Sequence, residues 1–374
     1  PVAARIVEHV TGQDFEEYVQ DNFFEPMGMA SATYRLSEEV MARGVTSYAN
    51  GNQPQEYWHI SMRPSGSINA SPADMARLVE FFLARGAVNG RQLVSPVSLE
   101  RMETPGSSNA AIAGMEAGYG LHNYSSPYKA WVYREHNGGV NGGISEFAYL
   151  PQAGLGHAIM MNSDAGAAFR QISNLVRGYE TRNLEKVEFG ENQQPGAANR
   201  GIEGYYFPIN PRQQVAYFLE RVFNVQEFRF EQDMLSRKGL FDTEAKFYFA
   251  LSDGLYASSE TGMVSLASVH DPIAGAVVHV GTTVLKPVSP ALVFGQLGIV
   301  VLWFLFIASS ILFLPIWMIR RVRGKIPAGG GISVRIWPLL ASASIVVLVA
   351  LFMLGMSDPF ELLGAPTAVS VGVM

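Results

Sequence analysis

The chain has 374 residues, of which 48% are hydrophobic and only 16% charged, with a formal net charge of −6 and no cysteine. A soluble globular protein averages about 25% charged, so this balance excludes a disordered tail, a coiled coil and a wholly soluble protein with an average surface. The charge is also unevenly spread. Residues 286–374 hold six Lys/Arg and two Asp/Glu, a net of +4, which leaves 21 and 31 to residues 1–285, a net of −10; an acidic front part of that kind argues against nucleic acid as a partner.

In chain order, residues 1–190 read as a mixed α+β domain. Ile6, Val7 and Val10 form a helical stripe that stops at Thr11-Gly12. Asp14 with Glu17 reads as a capping box, and Phe15, Tyr18, Val19 and Phe23 carry the next helix as far as Pro26. Ser71-Pro72-Ala73-Asp74 is a second start signal, and Met75, Leu78, Val79 and Phe82 follow at helical spacing until Gly86. Ser95-Pro96 opens a shorter helix. Residues 131–134, 145–150 and 156–161 are short aromatic or β-branched runs split by Gly and Pro, which predicts adjacent antiparallel strands. A helix over 165–179 closes the domain. Helices followed by a strand meander predict an α+β sandwich.

Residues 188–200 are polar and read as a linker. Residues 191–287 form a small β-rich module: 205–207, 228–230, 246–251, 263–269 and 276–284 are strand-like, with one helix over 213–223. It shows no catalytic grouping and reads as a spacer or packing domain.

Residues 288–374 read as membrane. The stretch 291–319 has 29 consecutive uncharged positions and 336–357 has 22, where a spanning helix needs about 20; spans are expected near 291–319 and 337–356. Residues 362–374 could begin a third. The loop 320–335 carries five basic residues and no acidic one. The positive-inside rule puts it in the cytoplasm and the acidic front part outside, and the absence of cysteine fits an exported domain without disulfides. The expected address is the cytoplasmic membrane, multi-pass, with the lipid bilayer as a partner. Pro1 falls inside a helical pattern with no signal peptide ahead of it, and both ends read as truncated.

There is no G-x-S-x-G elbow, no H-E-x-x-H, no complete P-loop and no G-x-G-x-x-G after a strand. The seven His are scattered, at 9, 59, 122, 136, 157, 270 and 279. His9 and His157 read as structural, and neither a metal site nor a cofactor is indicated. The notable segment is His136-Asn137-Gly138-Gly139-Val140-Asn141-Gly142-Gly143, with four glycines in six positions. Glycines leave backbone N–H groups uncovered and let a substrate approach the main chain, which suits an oxyanion and an anionic substrate group. A glycine-rich hairpin turn without chemistry fits the same spacing.

Arg5-Ile6-Val7-Glu8-His9-Val10-Thr11-Gly12, Phe15-Glu16-Glu17-Tyr18-Val19 and Phe24-Glu25-Pro26-Met27-Gly28-Met29 are similar to the second half of the class C β-lactamase and DD-peptidase-like serine hydrolase family. Residues 64–76, Tyr119-Gly120-Leu121, the His136 run, Tyr149-Leu150-Pro151 and Met161-Asn162-Ser163 follow in that family's order. The resemblance implies a partial β-lactamase/penicillin-binding-protein-like α/β sandwich that performs acyl transfer. A Ser nucleophile with a Lys one turn later (S-x-x-K) acts there with a Tyr of a Y-x-N motif, and a K/H-x-G strand completes the site. Only the strand maps here. His136 takes the Lys/His position as a catalytic residue, Gly139 offers an oxyanion N–H, and Gly138 and Asn137 line the substrate site. S-x-x-K and Y-x-N are expected upstream of Pro1. Tyr48-Ala49-Asn50 and Ser126-Pro127-Tyr128-Lys129 stand in the wrong order and read as loop coincidences. The resemblance implies a membrane-anchored extracytoplasmic serine hydrolase acting on peptidoglycan peptides, β-lactams or small esters and amides. This chain alone is expected to be inactive. A non-catalytic penicillin-recognising or envelope-binding protein is the alternative, and a receptor with a sensor or transporter membrane element is a third.

Overall fold

The computed structural model describes residues 1–49, 52–57, 60, 63–185, 200–211, 214, 217–251, 254–326 and 332–355. The chain divides into two units, Pro1–Val288 and Ser289–Met374.

The first unit opens with helix α1 (Val2–Thr11), closed by Gly12 in a left-handed conformation. Asp14 caps α2 (Phe15–Val19) by accepting from the Glu16 and Glu17 amides. The single helix expected over 15–26 instead passes through a π-helical turn, Gln20–Phe24, into α3 (Glu25–Met27). After α4 (Glu38–Arg43) come two short paired strands, β1 (Ser47–Ala49) and β2 (Gln53–Gln55). Helix α5 (Pro72–Leu83) starts on a reciprocal capping box between Ser71 and Asp74. Burial alone would raise the Asp74 carboxyl, but hydrogen bonds from Ser31 and Ser71 outweigh it and hold the group below its ordinary value. The strand pair β3 (Ala87–Val88) and β4 (Arg91–Gln92) leads to α6 (Pro96–Glu103), capped by Ser95, and α7 (Asn109–Ile112).

Four antiparallel strands then form a sheet in chain order: β5 (Tyr124–Tyr128), β6 (Trp131–Val140), β7 (Gly143–Leu150) and β8 (Leu155–Met161). Side chains alternate between faces, and the two faces differ in chemistry. On one, Phe82 of α5 stacks on Phe147 and Tyr149, ring centroids 5.6 and 5.0 Å away, inside the main apolar core. On the other lies α8 (Gly166–Glu180), whose Arg177 pairs with Glu135 and whose Ser173 donates to Glu146 at 2.5 Å. His157 joins this second face, its ring nitrogens 3.2 Å from Glu146 and 3.0 Å from Glu180. Within the glycine-rich run, residues 136–140 and 143 lie in strands and Asn141-Gly142 form the turn, with Gly142 at φ +73°. A Cβ there would sit 2.7 Å from the Tyr48 amide of β1, so only glycine lets the hairpin tip close against that strand.

Residues 126–128 are also strand, not the loop expected. Pro127 is tolerated because β5 pairs with β6 alone, and an edge strand has a side that needs no N–H. Tyr48 and Ala49 likewise lie in β1; Asn50 is outside the described residues.

The remaining strands are β9 (Gly204–Pro208), β10 (Gln226–Glu231), β11 (Met234–Gly239), β12 (Lys246–Ala250), β13 (Leu255–Ser258), β14 (Val264–Asp271), β15 (Gly275–Val280) and β16 (Thr283–Val288). They close in sequence order into an eight-stranded barrel, with β16 pairing β9. Helix α9 (Tyr217–Phe223) lies between β9 and β10 in sequence. Alternate side chains, among them Tyr206, Phe228, Leu235, Tyr248, Tyr256, Leu266, Val278 and Leu285, fill the interior, as befits a barrel of this size. The expected strand 276–284 is in fact two strands joined at Gly281, and β11 and β13 lack an apolar run long enough to announce them. The expected linker falls largely on residues 186–199, outside the described residues, as does the first part of the expected helix 213–223.

In the second unit, α10 (Pro290–Val322) runs 33 residues, capped by Ser289 and ending on Arg320 and Arg321. It is long and apolar enough to cross a membrane: at 1.5 Å per residue it rises about 50 Å, against a hydrocarbon core of about 30 Å. Arg321 sits over the Trp317 ring, 5.5 Å from its centroid. Helix α11 (Ile332–Gly355) is apolar over Ile336–Leu351, short of that length among the described residues. The end of the expected second span and the third lie outside the described residues.

Candidate active site on the glycine-rich strand

The register of β6 decides what its residues can offer. A two-residue turn, Lys129-Ala130, joins β5 to β6 and pairs Tyr128 with Trp131. The antiparallel ladder then directs the peptide groups of Trp131, Tyr133 and Glu135 towards β5. Continued, the alternation directs those of Asn137 and Gly139 to the same edge. There β5 has ended, its last partner pair being Tyr124 with Glu135. Asn137, Gly138 and Gly139 are all exposed. A Cβ on Gly138 would meet the Ser145 hydroxyl at 2.9 Å, while the space around Gly139 is open.

His136 is half-buried on the same face as Phe147, its partner across the ladder. Its Nδ1 lies 2.7 Å from the Asn137 carbonyl oxygen. A carbonyl only accepts, so Nδ1 donates in this contact and Nε2 is left for another partner. Three rings surround the imidazole: Tyr119 edge-on at 5.9 Å, Tyr124 at 6.1 Å and His122 at 6.1 Å. Burial, and then the nearby His136, push the His122 imidazole down to about 4, against a smaller opposing pull from Glu103; His122 is neutral at any ordinary pH. Burial raises the Tyr119 and Tyr124 phenols, with Glu135 adding to the latter.

The strand thus brings His136, Asn137, Gly138 and Gly139 to one open edge. It does not bring Ser126 there. Ser126 pairs with Tyr133 across the ladder, and its hydroxyl accepts from Arg177 Nη1 at 2.9 Å on the α8 face. Lys129 stands in the turn with its ammonium 5.3 Å from the Tyr128 ring centroid. His122 and Tyr124 were not legible as site residues; the signal was their spacing after Tyr119, immediately ahead of the glycine-rich strand. Among the described residues, no three His, Cys, Asp or Glu side chains are grouped to hold a metal ion.

Residues 1–178 match the beta-lactamase family model. Over these residues the chain is similar to serine beta-lactamases and DD-peptidase-like proteins. The relatives are distant. A Homo sapiens protein named beta-lactamase-like 1 is 23% identical over 162 residues, 42% of this chain and 31% of its own length. Penicillin-binding protein 4 of Amycolatopsis lactamdurans is 24% identical over 181 residues, 45% of this chain and 46% of its own. A solved beta-lactamase from Sulfitobacter sp. EE-36 is 18% identical over 48% of this chain and 57% of that one, with a TM-score of 0.40. The chain spans about a third to a half of the length of the two curated relatives it matches. The family match ends at residue 178, ahead of the barrel, whose first strand begins at Gly204.

Proposed function

We propose that this chain is part of a membrane-anchored serine hydrolase whose acyl-transfer site opens outside the cytoplasm, with β6 as its oxyanion strand. One observation carries the reading: His136, its Nδ1 engaged by the Asn137 carbonyl, stands on the strand whose Asn137 and Gly139 peptide groups face an edge that no described strand pairs. Backbone N–H groups held on a rigid strand stabilise the oxyanion of a tetrahedral intermediate because they need no reorganisation as charge develops. Gly139 supplies that N–H. His136 accepts or returns a proton at Nε2. Asn137 and Gly138 line the substrate's path. Ser126 faces α8, and the nucleophile is the Ser of the S-x-x-K motif that the family resemblance places upstream of Pro1. Peptidoglycan peptides, β-lactams and small esters or amides are the substrate classes. The anchor is α10, and its terminal Arg320, Arg321, Arg323 and Lys325 favour a cytoplasmic end, which leaves the hydrolase domain on the other side.

The test is covalent labelling by a fluorescent penicillin or a fluorophosphonate. A protein that includes upstream S-x-x-K and Y-x-N motifs is expected to label, and His136→Ala to slow labelling by about 100-fold, the lower range of a lost general acid–base group. Residues 1–374 alone are expected not to label. Undiminished labelling after His136→Ala, or labelling of Ser126, refutes the assignment.

A further inference from the structure

His122 has no assigned task, yet its surroundings are unusual. The ring lies between the apolar core and the site: 5.3 Å from Phe82 and 5.8 Å from Phe147 on one side, 6.1 Å from His136 on the other. Its Nδ1 is buried without a hydrogen-bond partner among the described residues, and the ring packs against other rings on both sides. The segment that carries it is fixed at both ends. Towards the barrel, the Glu116 and Ala117 amides donate to the Val264 carbonyl at 2.8 and 3.0 Å, and the Glu116 carboxylate accepts from the Val264 amide. Towards the sheet, the fully buried Asn123 donates to the Tyr149 hydroxyl at 2.7 Å. Between them Leu121 donates to the Met102 carbonyl at 2.9 Å. That approach requires glycine at 120, where a Cβ would stand 2.0 Å from the Met102 oxygen.

We propose that His122 is a positioning residue for His136: its flat ring, braced from behind by Phe82 and Phe147, keeps the His136 imidazole turned so that Nδ1 stays on the Asn137 carbonyl and Nε2 faces the open edge. A second imidazole suits this place because it is planar and, staying uncharged, puts no like charge beside His136. The inference deepens the proposed site and rests on it for its chemical consequence, but its test does not depend on turnover.

The test is nitrogen NMR of the 374-residue chain in detergent with ¹⁵N-labelled histidine, the His136 signals being assigned with His136→Gln. The wild type is expected to show His136 predominantly as the Nδ1–H tautomer. His122→Leu fills the space without a flat ring, and is expected to lower the tautomer ratio about fivefold, the scale of one ring–ring contact. His122→Phe restores planarity and is expected to restore the ratio to within about twofold. A ratio unmoved by His122→Leu overturns the proposal, as does a ratio lost equally in His122→Phe, because general loosening would not distinguish the two. If the ratio moves as expected while His136→Ala labels normally, the positioning stands and the hydrolase assignment falls.

Discussion

Arg177→Leu is expected to destabilise the folded chain by about 3–5 kcal/mol, the cost of leaving buried charges without their partner. The guanidinium is 5% exposed. It pairs with Glu135, lies 3.6 Å from Glu146, donates to Ser126 and sits 5.0 Å from the centroid of the Tyr133 ring. Removing it leaves two carboxylates buried against α8 without their guanidinium, Glu146 keeping its bonds to His157 and Ser173. Chemical unfolding of the wild-type and variant chains measures this. A loss under about 1 kcal/mol, the scale of an exposed pair, would show that water reaches the network.

The same cluster makes stability depend on pH. Burial alone would lower the His157 imidazole, but bonds to Glu146 and Glu180 raise it above its ordinary 6.5. Its contribution is therefore complete below about pH 6.5 and is lost as pH climbs through the raised value. For Glu146, burial opposes ionisation, and bonds from His157 and Ser173 with the charge of Arg177 win, holding it below its ordinary 4.5. That contribution is present above the ordinary value and disappears as pH falls through the lowered one. Unfolding free energy should fall between pH 6 and 9 in the wild type more steeply than in His157→Gln; equal slopes would exclude the histidine as the cause.

Phe82→Ala is the other change of large expected effect. Phe82 is 3% exposed and stacks on Phe147 and Tyr149 while its edge of the core supports His122. Truncating a buried phenylalanine costs about 3–5 kcal/mol. Here the cavity opens directly behind the site, so the variant is expected to lose the His136 tautomer preference as well as stability. A variant that unfolds earlier but keeps the His136 signals unchanged would separate the core from the site. Phe82→Leu, which refills most of the space, should recover most of the stability and little of the ring stacking.

The fold is most legible in the sequence where local chemistry is strong. The Ser71–Asp74 capping box and the Ser95 cap are set by residues three apart, and both helices start where expected. Strands β7 and β8 were visible because aromatic and β-branched runs are bounded by Gly and Pro. Long-range pairing was less visible. β5 contains Pro127 and two serines and is a strand only because β6 lies beside it. β15 and β16 merged in the sequence because a glycine in an apolar stretch does not announce a turn. In the candidate site, the spacing of His136 and the glycines fits a plain hairpin turn as well, and their expected roles come from the family resemblance. His122 was not legible, because its role comes from a ring behind it, contributed by α5, and from an anchor on a barrel strand more than a hundred residues away. Ser126 and Lys129 have the spacing of a catalytic pair, but the alternation of β5 turns the serine to the wrong face.

The barrel's closure has a consequence for reach. Its first and last strands are neighbours, and Tyr205 is the partner of Val288 across them. Partners in an antiparallel ladder are about 5 Å apart, so the path enters and leaves this 85-residue detour, Gly204 to Val288, at nearly one point. A module of that kind adds bulk beside the chain and almost no length along it. The chain therefore leaves the barrel at Val288 beside Tyr205, close to where it entered. What the barrel contributes is a lateral wall, with Val264 holding up the loop that carries His122.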